Sequence, residues 1–159
     1  MSLSCMIIDD EPLAVRLLES YVEKTPDLEL MASFTDSITA INTIKAQKPD
    51  LLFLDIQMPN IDGMELAHSL PEETRVVFTT AFKEYAFESY EVNALDFLLK
   101  PIRYNKFLAA VEKAKKVFQH NLLSHNSLSH NPSSLIPSLS ASMASGATYL
   151  LTRLPTSTV

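Results

Sequence analysis

Apolar residues in the first 118 positions come as short unbroken runs separated by longer, spaced patterns. "LSCMII" (3–8), "LELMASF" (28–34), "LLFL" (51–54), "RVVFT" (75–79) and "DFLL" (96–99) read as strands bounded by polar or turn-forming residues. The first, third and fourth are almost continuously apolar, as expected of strands covered on both faces. Between them the period changes. Pro12 suits a first helical turn, and Leu13, Leu17, Leu18, Tyr21 and Val22 recur at helical spacing. Asp36 or Ser37 can cap a helix carrying Ile38, Ile41 and Ile44 on one face. A short helix is expected from near Gly63 to near Pro71, and a polar, aromatic one over roughly 83–91. A last helix carries Tyr104, Phe107, Val111, Ala114 and Phe118 in one stripe.

Five strands alternating with five helices predict an α/β domain with a doubly wound parallel sheet. Right-handed crossovers leave few topologies, and the flavodoxin-like strand order 2-1-3-4-5 fits this length.

Charge divides the chain. Residues 1–118 hold all 19 acidic residues and 12 of the 13 basic ones, whereas 119–159 hold only Arg153. The domain is therefore expected to span 1–118. The remainder, rich in serine and repeating His-Asn at 120, 125 and 130, reads as a low-complexity linker or tail. The five-residue histidine spacing does not stack the rings on one helix face, and no acid or thiol accompanies them, so a metal site is not expected there. "ATYLLTRL" (147–154) is apolar enough for a strand at the start of a truncated second domain, and equally readable as sequence of no structural role. A net charge of −6 argues against nucleic-acid binding by this piece alone. The single cysteine, Cys5, excludes an internal disulfide and reads as a small core residue. No apolar run is long enough to span a membrane, and Asp9, Asp10 and Glu11 arrive too early for a signal peptide. A cytoplasmic location is expected.

In an open parallel sheet, sites form beyond the carboxyl ends of the strands where strand order reverses, here between strands 1 and 3. Strand 1 ends in Asp9 and Asp10, strand 3 in Asp55, strand 4 in Thr79 and Thr80, and strand 5 in Lys100 and Pro101. Taken singly, each is an ordinary cap or loop residue. Together, four strand ends out of five offer three acids, a hydroxyl and an ammonium to one crevice. Three like charges repel and hold protons, a conflict that a hard cation such as Mg²⁺ removes. The set suits phosphoryl transfer: Asp55 as nucleophile, Lys100 pairing with phosphoryl oxygens and Thr80 donating a hydrogen bond.

Four segments carry a resemblance: "IIDDEP" (7–12), "LLFLDIQMPNIDGMEL" (51–66), "VVFTTAF" (76–82) and "ALDFLLKPI" (94–102). Over residues 3 to about 118 the chain resembles the receiver domain of two-component response regulators. "EYAFESYEVNALDFLLKPI" is similar to the LytTR (LytR/AlgR-like) subfamily, whose output is a DNA-binding domain. The resemblance implies that Asp55 accepts a phosphoryl group from a histidine kinase. It implies Mg²⁺ held by Asp10, by Asp9 mainly through water, by Asp55 and by the backbone carbonyl of Gln57. Thr80 and Lys100 would contact the phosphoryl group, helped by the Ala81 N–H, and the Lys100–Pro101 bond would be cis. Phe97 stands at the switch-aromatic position without a tyrosine hydroxyl. Phosphorylation would move Thr80 and turn Phe97 inward, changing the surface of helix 4, strand 5 and helix 5, through which a homodimer could form. Tyr85, Tyr90, Tyr104 and Phe107 are expected in or near that region. A bulky Phe82, two residues after Thr80, should hinder an attacking water.

A LytTR-type output would need on the order of 100 further residues. The 41 residues after 118, with one cation, cannot supply it, so DNA contact would belong to a part outside this chain. Two competing readings remain. An aspartyl-phosphate hydrolase would want a second acid two residues after its nucleophile, where this chain has Gln57. A receiver fold acting without phosphorylation would be expected to lack one of Asp9, Asp10, Asp55, Thr80 or Lys100, yet all are present.

Overall fold

A computed structural model of the chain describes residues 1–88, 92 and 94–128. Five parallel strands, β1 (Leu3–Ile8), β2 (Leu28–Phe34), β3 (Leu51–Asp55), β4 (Arg75–Thr80) and β5 (Asp96–Leu99), form one sheet in the order β2-β1-β3-β4-β5. The helices are α1 (Pro12–Glu23), α2 (Ser37–Gln47), α3 (Gly63–His68), α4 (Tyr85–Glu88) and α5 (Tyr104–Leu128). The topology is the expected doubly wound, flavodoxin-like one.

The unbroken apolar runs have a direct cause. Successive strand side chains point to opposite faces, and both faces are buried. Cys5, Ile7, Leu51, Phe53 and Val77 face a core closed by α1 and α5, while Met6, Ile8, Leu52, Leu54, Val76 and Phe78 face one closed by α2 and α3. Phe107 of α5 is fully buried and stacks on Phe53 at 4.9 Å. Cys5 is a core residue as expected, and burial pushes its thiol up to about 12, so it is inert at neutral pH.

Helix boundaries and faces depart from the periodicity in particular places. In α1 the buried face is Val15, Leu18 and Val22, while Leu13 is 77% exposed and Leu17 37%. In α2, Asp36 is the cap, accepting from the Ile38 and Thr39 N–H groups, and Ser37, Ala40 and Ile44 are buried while Ile38 is exposed. Helix α3 stops at His68, because the Ser69 N–H and Oγ both turn back onto Leu66 O. The described part of the fourth helix is only Tyr85–Glu88; 89–91, including Tyr90, lie outside the described residues.

Tyr104 and Phe107 lie on α5, as expected, and serve there as packing residues. They turn to α1, where Tyr21 lies 5.0 Å from Tyr104 and 5.4 Å from Phe107. The Tyr21 hydroxyl also donates to Ile102 O (2.9 Å), fastening the loop after β5 to α1. Helix α5 continues to Leu128, past the expected boundary at 118. Residues 119–128 contain neither proline nor glycine, and the first helix breaker is Pro132. His120 and His125 are exposed on this extension; His130 and "ATYLLTRL" lie outside the described residues.

Candidate functional site

The parallel register delivers the polar residues to one edge. Asp55 is the last residue of β3 and pairs with Thr79 of β4, while Thr80 pairs with Leu99, the last residue of β5. Lys100 follows at once, and its N–H donates to Thr80 O (2.7 Å). Asp9 follows β1, and its N–H donates to Phe34 O (3.1 Å). The acids and the ammonium are therefore fixed through backbone pairing rather than through flexible loops.

Gly63 adds a constraint that sequence reasoning missed. A Cβ placed there would lie 2.2 Å from the Asp55 carbonyl oxygen, so only glycine lets the start of α3 close over the end of β3. The Gly63 N–H donates to Ile56 O (2.8 Å), and the Ile56 N–H to Thr79 O (3.1 Å). The available clue was rarity: the chain has two glycines, and one stands eight residues after Asp55.

Asp9 and Asp55 are buried and Asp10 is partly exposed. One carboxylate oxygen from each can be chosen so that all three lie within 4.8 Å of one another. Among the described residues this is the grouping of acids, histidines and thiols suited to a metal. Lys100 Nζ sits 2.8 Å from Asp9 Oδ2 and 3.3 Å from Asp55 Oδ1, with Glu11 Oε1 at 3.4 Å on the solvent side. Asp9 Oδ1 accepts from the Glu11 N–H (2.9 Å), whereas Oδ2 is buried and touches Lys100 only as an ion contact, not an aligned hydrogen bond. Three acids against one ammonium leave the cluster short of positive charge. Three hard carboxylate donors within 4.8 Å of one another, against a single ammonium, fit a Mg²⁺ ion.

The titration of the site follows from this crowding. Burial, and then the charge of Asp9, push Asp55 up to about 7 against the pull of Lys100. Burial likewise raises Asp9, opposed by Lys100 and the Glu11 N–H. Burial works to lower Lys100, but its contacts with Asp9, Asp55 and Glu11 outweigh it and the ammonium is held above its usual value.

Thr80 is buried, and its Oγ1 accepts from the Phe82 N–H (3.2 Å). Phe82 is 48% exposed and meets Tyr85 edge-on at 6.4 Å between ring centres. Phe97 is half-buried against the core under α3, and the Lys100–Pro101 bond is cis. Gln57 is exposed on the loop after β3, and its Nε2 donates to the Tyr85 hydroxyl (3.3 Å), a contact between residues 28 apart in the chain that no local pattern signals.

The family model for the response regulator receiver domain matches residues 5–112, and the chain belongs to that family. It is 40% identical over 123 residues to the transcriptional regulatory protein BtsR of Escherichia coli, covering 74% of this chain and 52% of that protein. It is 37% identical over 124 residues to an uncharacterised response regulatory protein of Vibrio vulnificus, covering 77% and 51%. Among solved structures, the response regulatory domain of mrkE from Klebsiella pneumoniae superposes with a TM-score of 0.68 at 30% identity, covering 74% of this chain and 99% of that one. The chain spans about half the length of the relatives it matches. It is a receiver domain of the two-component response regulators, a class of signalling domain switched by phosphorylation. No described helix is long and apolar enough to cross a membrane.

Proposed function

We propose that Asp55 takes a phosphoryl group from a histidine kinase and that this chain switches a transcriptional output it does not itself contain. The observation that carries the reading is the placement of Lys100 Nζ between Asp9 and Asp55, in a cluster with two more negative charges than positive ones. An Asp55 oxygen attacks phosphorus, and the bond to the donor breaks with its electron pair leaving on the donor atom. Lys100 pairs with the phosphoryl oxygens, and the Thr80 hydroxyl, whose oxygen accepts from the Phe82 N–H, donates its own proton to one of them. Asp9, Asp10, Asp55 and the Gln57 carbonyl would hold Mg²⁺, which supplies charge neutralisation for the acids and the phosphoryl group. Thr80 then draws toward the phosphoryl group, and Phe97 turns further inward.

The kinase is proposed to meet an apolar groove beside Lys100, lined by Leu13, Ala14, Leu17, Pro101 and Ile102 and about 460 Å³ in volume. The exposure of Leu13 and Leu17, odd for an isolated domain, supports a partner there. Residues 1–118 act as the receiver and 119–159 as a link, begun by the α5 extension, to a LytTR-type DNA-binding domain. Half-length coverage of a relative named as a transcriptional regulator supports that arrangement. A homodimer through α4, β5 and α5, working in the cytoplasm, completes the proposal.

The test is intact mass after incubation with acetyl phosphate, with and without Mg²⁺, on the native chain and on Asp55→Asn. One Mg²⁺-dependent phosphoryl adduct, absent in the variant, is expected. A folded protein that gains no adduct from acetyl phosphate or from any histidine kinase of its source would favour a phosphorylation-independent receiver.

A further inference from the structure

The rim of the site carries an amide whose chemistry matters to the lifetime of the phosphoryl group. Gln57 lies two residues after Asp55, and a carboxamide beside a phosphoryl group can orient an attacking water. Here the carboxamide is engaged elsewhere. Gln57 Nε2 lies 3.3 Å from the Tyr85 hydroxyl, across the groove of about 490 Å³ formed by Ile56, Gln57, Met58, Pro59, Met64 and Tyr85. The hydroxyl can donate as well as accept, so the bond survives either orientation of the amide. Tyr85 is itself steadied by the edge of Phe82, whose N–H donates to Thr80 Oγ1. A continuous set of contacts thus runs from the Thr80 hydroxyl through Phe82 and Tyr85 to Gln57.

We infer that Tyr85 is a positioning residue that tethers the Gln57 carboxamide away from the water that would hydrolyse phospho-Asp55, and so prolongs the phosphorylated state. The inference rests on Asp55 being the acceptor. In the step it restrains, a water oxygen bonds to phosphorus and the P–O bond to Asp55 breaks with its electron pair returning to the carboxylate. The water proton passes to solvent. Gln57 takes no proton; its amide would only hold the water in line. Because Tyr85 lies on α4, movement of that helix would release the tether, linking the lifetime of the signal to whatever binds α4.

The test uses the full chain loaded with acetyl phosphate and Mg²⁺, freed of donor, with adduct decay followed by intact mass. Tyr85→Phe keeps the ring and its edge contact with Phe82 but removes the hydroxyl. It is expected to shorten the half-life at least threefold. Gln57→Met, similar in length but without an amide, is expected to make the protein indifferent to Tyr85→Phe, so that the double variant decays like Gln57→Met alone. An unchanged half-life in Tyr85→Phe, or an equal shortening with and without Gln57, would overturn the inference. Failure of the native chain to form any adduct would instead count against Asp55 as acceptor.

Discussion

Replacing Asp55 by asparagine should stabilise the metal-free protein, and the gain should grow with pH. Asp55 is buried beside Asp9, and its carboxyl is pushed up to about 7 from an ordinary value of 3.8. Asparagine has nearly the same shape and stands in for the neutral acid. The sign follows from linkage. An acid whose folded value is raised costs nothing below its unfolded value; the cost grows as pH rises through that interval and is complete above about 7. At 1.36 kcal/mol per unit, the destabilisation contributed by Asp55 reaches on the order of 4 kcal/mol at pH 8, where it is held ionised, and about 2 kcal/mol at pH 5.5, where folding keeps it protonated. These are ceilings, because water entry and small movements relax a buried charge. Urea unfolding of both proteins at pH 5.5 and pH 8, in chelator and then in millimolar Mg²⁺, reads the difference directly. Asp55→Asn should be more stable by about 2 kcal/mol or more at pH 8, less so at pH 5.5, and Mg²⁺ should narrow the gap by stabilising the native chain. A variant no more stable than the native chain at pH 8, or a gain independent of pH, would refute the electrostatic account.

Three further outcomes follow from the same geometry. Gly63→Ala should lower stability by roughly 1–3 kcal/mol and slow adduct formation, because its methyl group would sit inside contact distance of the Asp55 carbonyl; unaltered urea midpoint and phosphorylation rate would contradict this. Lys100→Gln should cost about 3 kcal/mol at pH 8 by leaving Asp9 Oδ2 without its counter-charge, with much of the loss recovered on adding Mg²⁺. A loss unaffected by Mg²⁺ would show that the ammonium and the cation do not serve the same acids. Phe82→Ala should shorten the phospho-Asp55 half-life by opening the approach of water beside Thr80, and equal decay rates would sink that role for the ring.

The architecture was legible in the sequence because it depends on local and strongly patterned signals. Runs such as "LLFL" and "VVF" are apolar without alternation, as a strand buried on both faces needs. Asp9, Asp10, Asp55, Thr80 and Lys100 could be placed together because each ends or follows a strand, and a parallel sheet brings all such ends to one edge. The faces of α1 and α2 were misread because Leu13 and Ile38 fit helical spacing as well as Val15 and Ala40 do. Spacing alone cannot say which stripe meets the sheet. Tyr104 and Phe107 were rightly placed on α5, but only contact with Tyr21 decided the direction they face.

The residues alone therefore determined the fold class, the strand order and the set of groups at the site, since those depend on period, composition and strand ends. Tertiary structure decided the interactions between residues far apart in the chain: Lys100 shared between Asp9 and Asp55, Gly63 pressed against the Asp55 carbonyl, and Gln57 bonded to Tyr85. Each depends on distances of a few ångströms set by how neighbouring strands and loops close together. At that scale burial and a neighbouring charge push a carboxyl well above its usual range, and one methyl group becomes a clash.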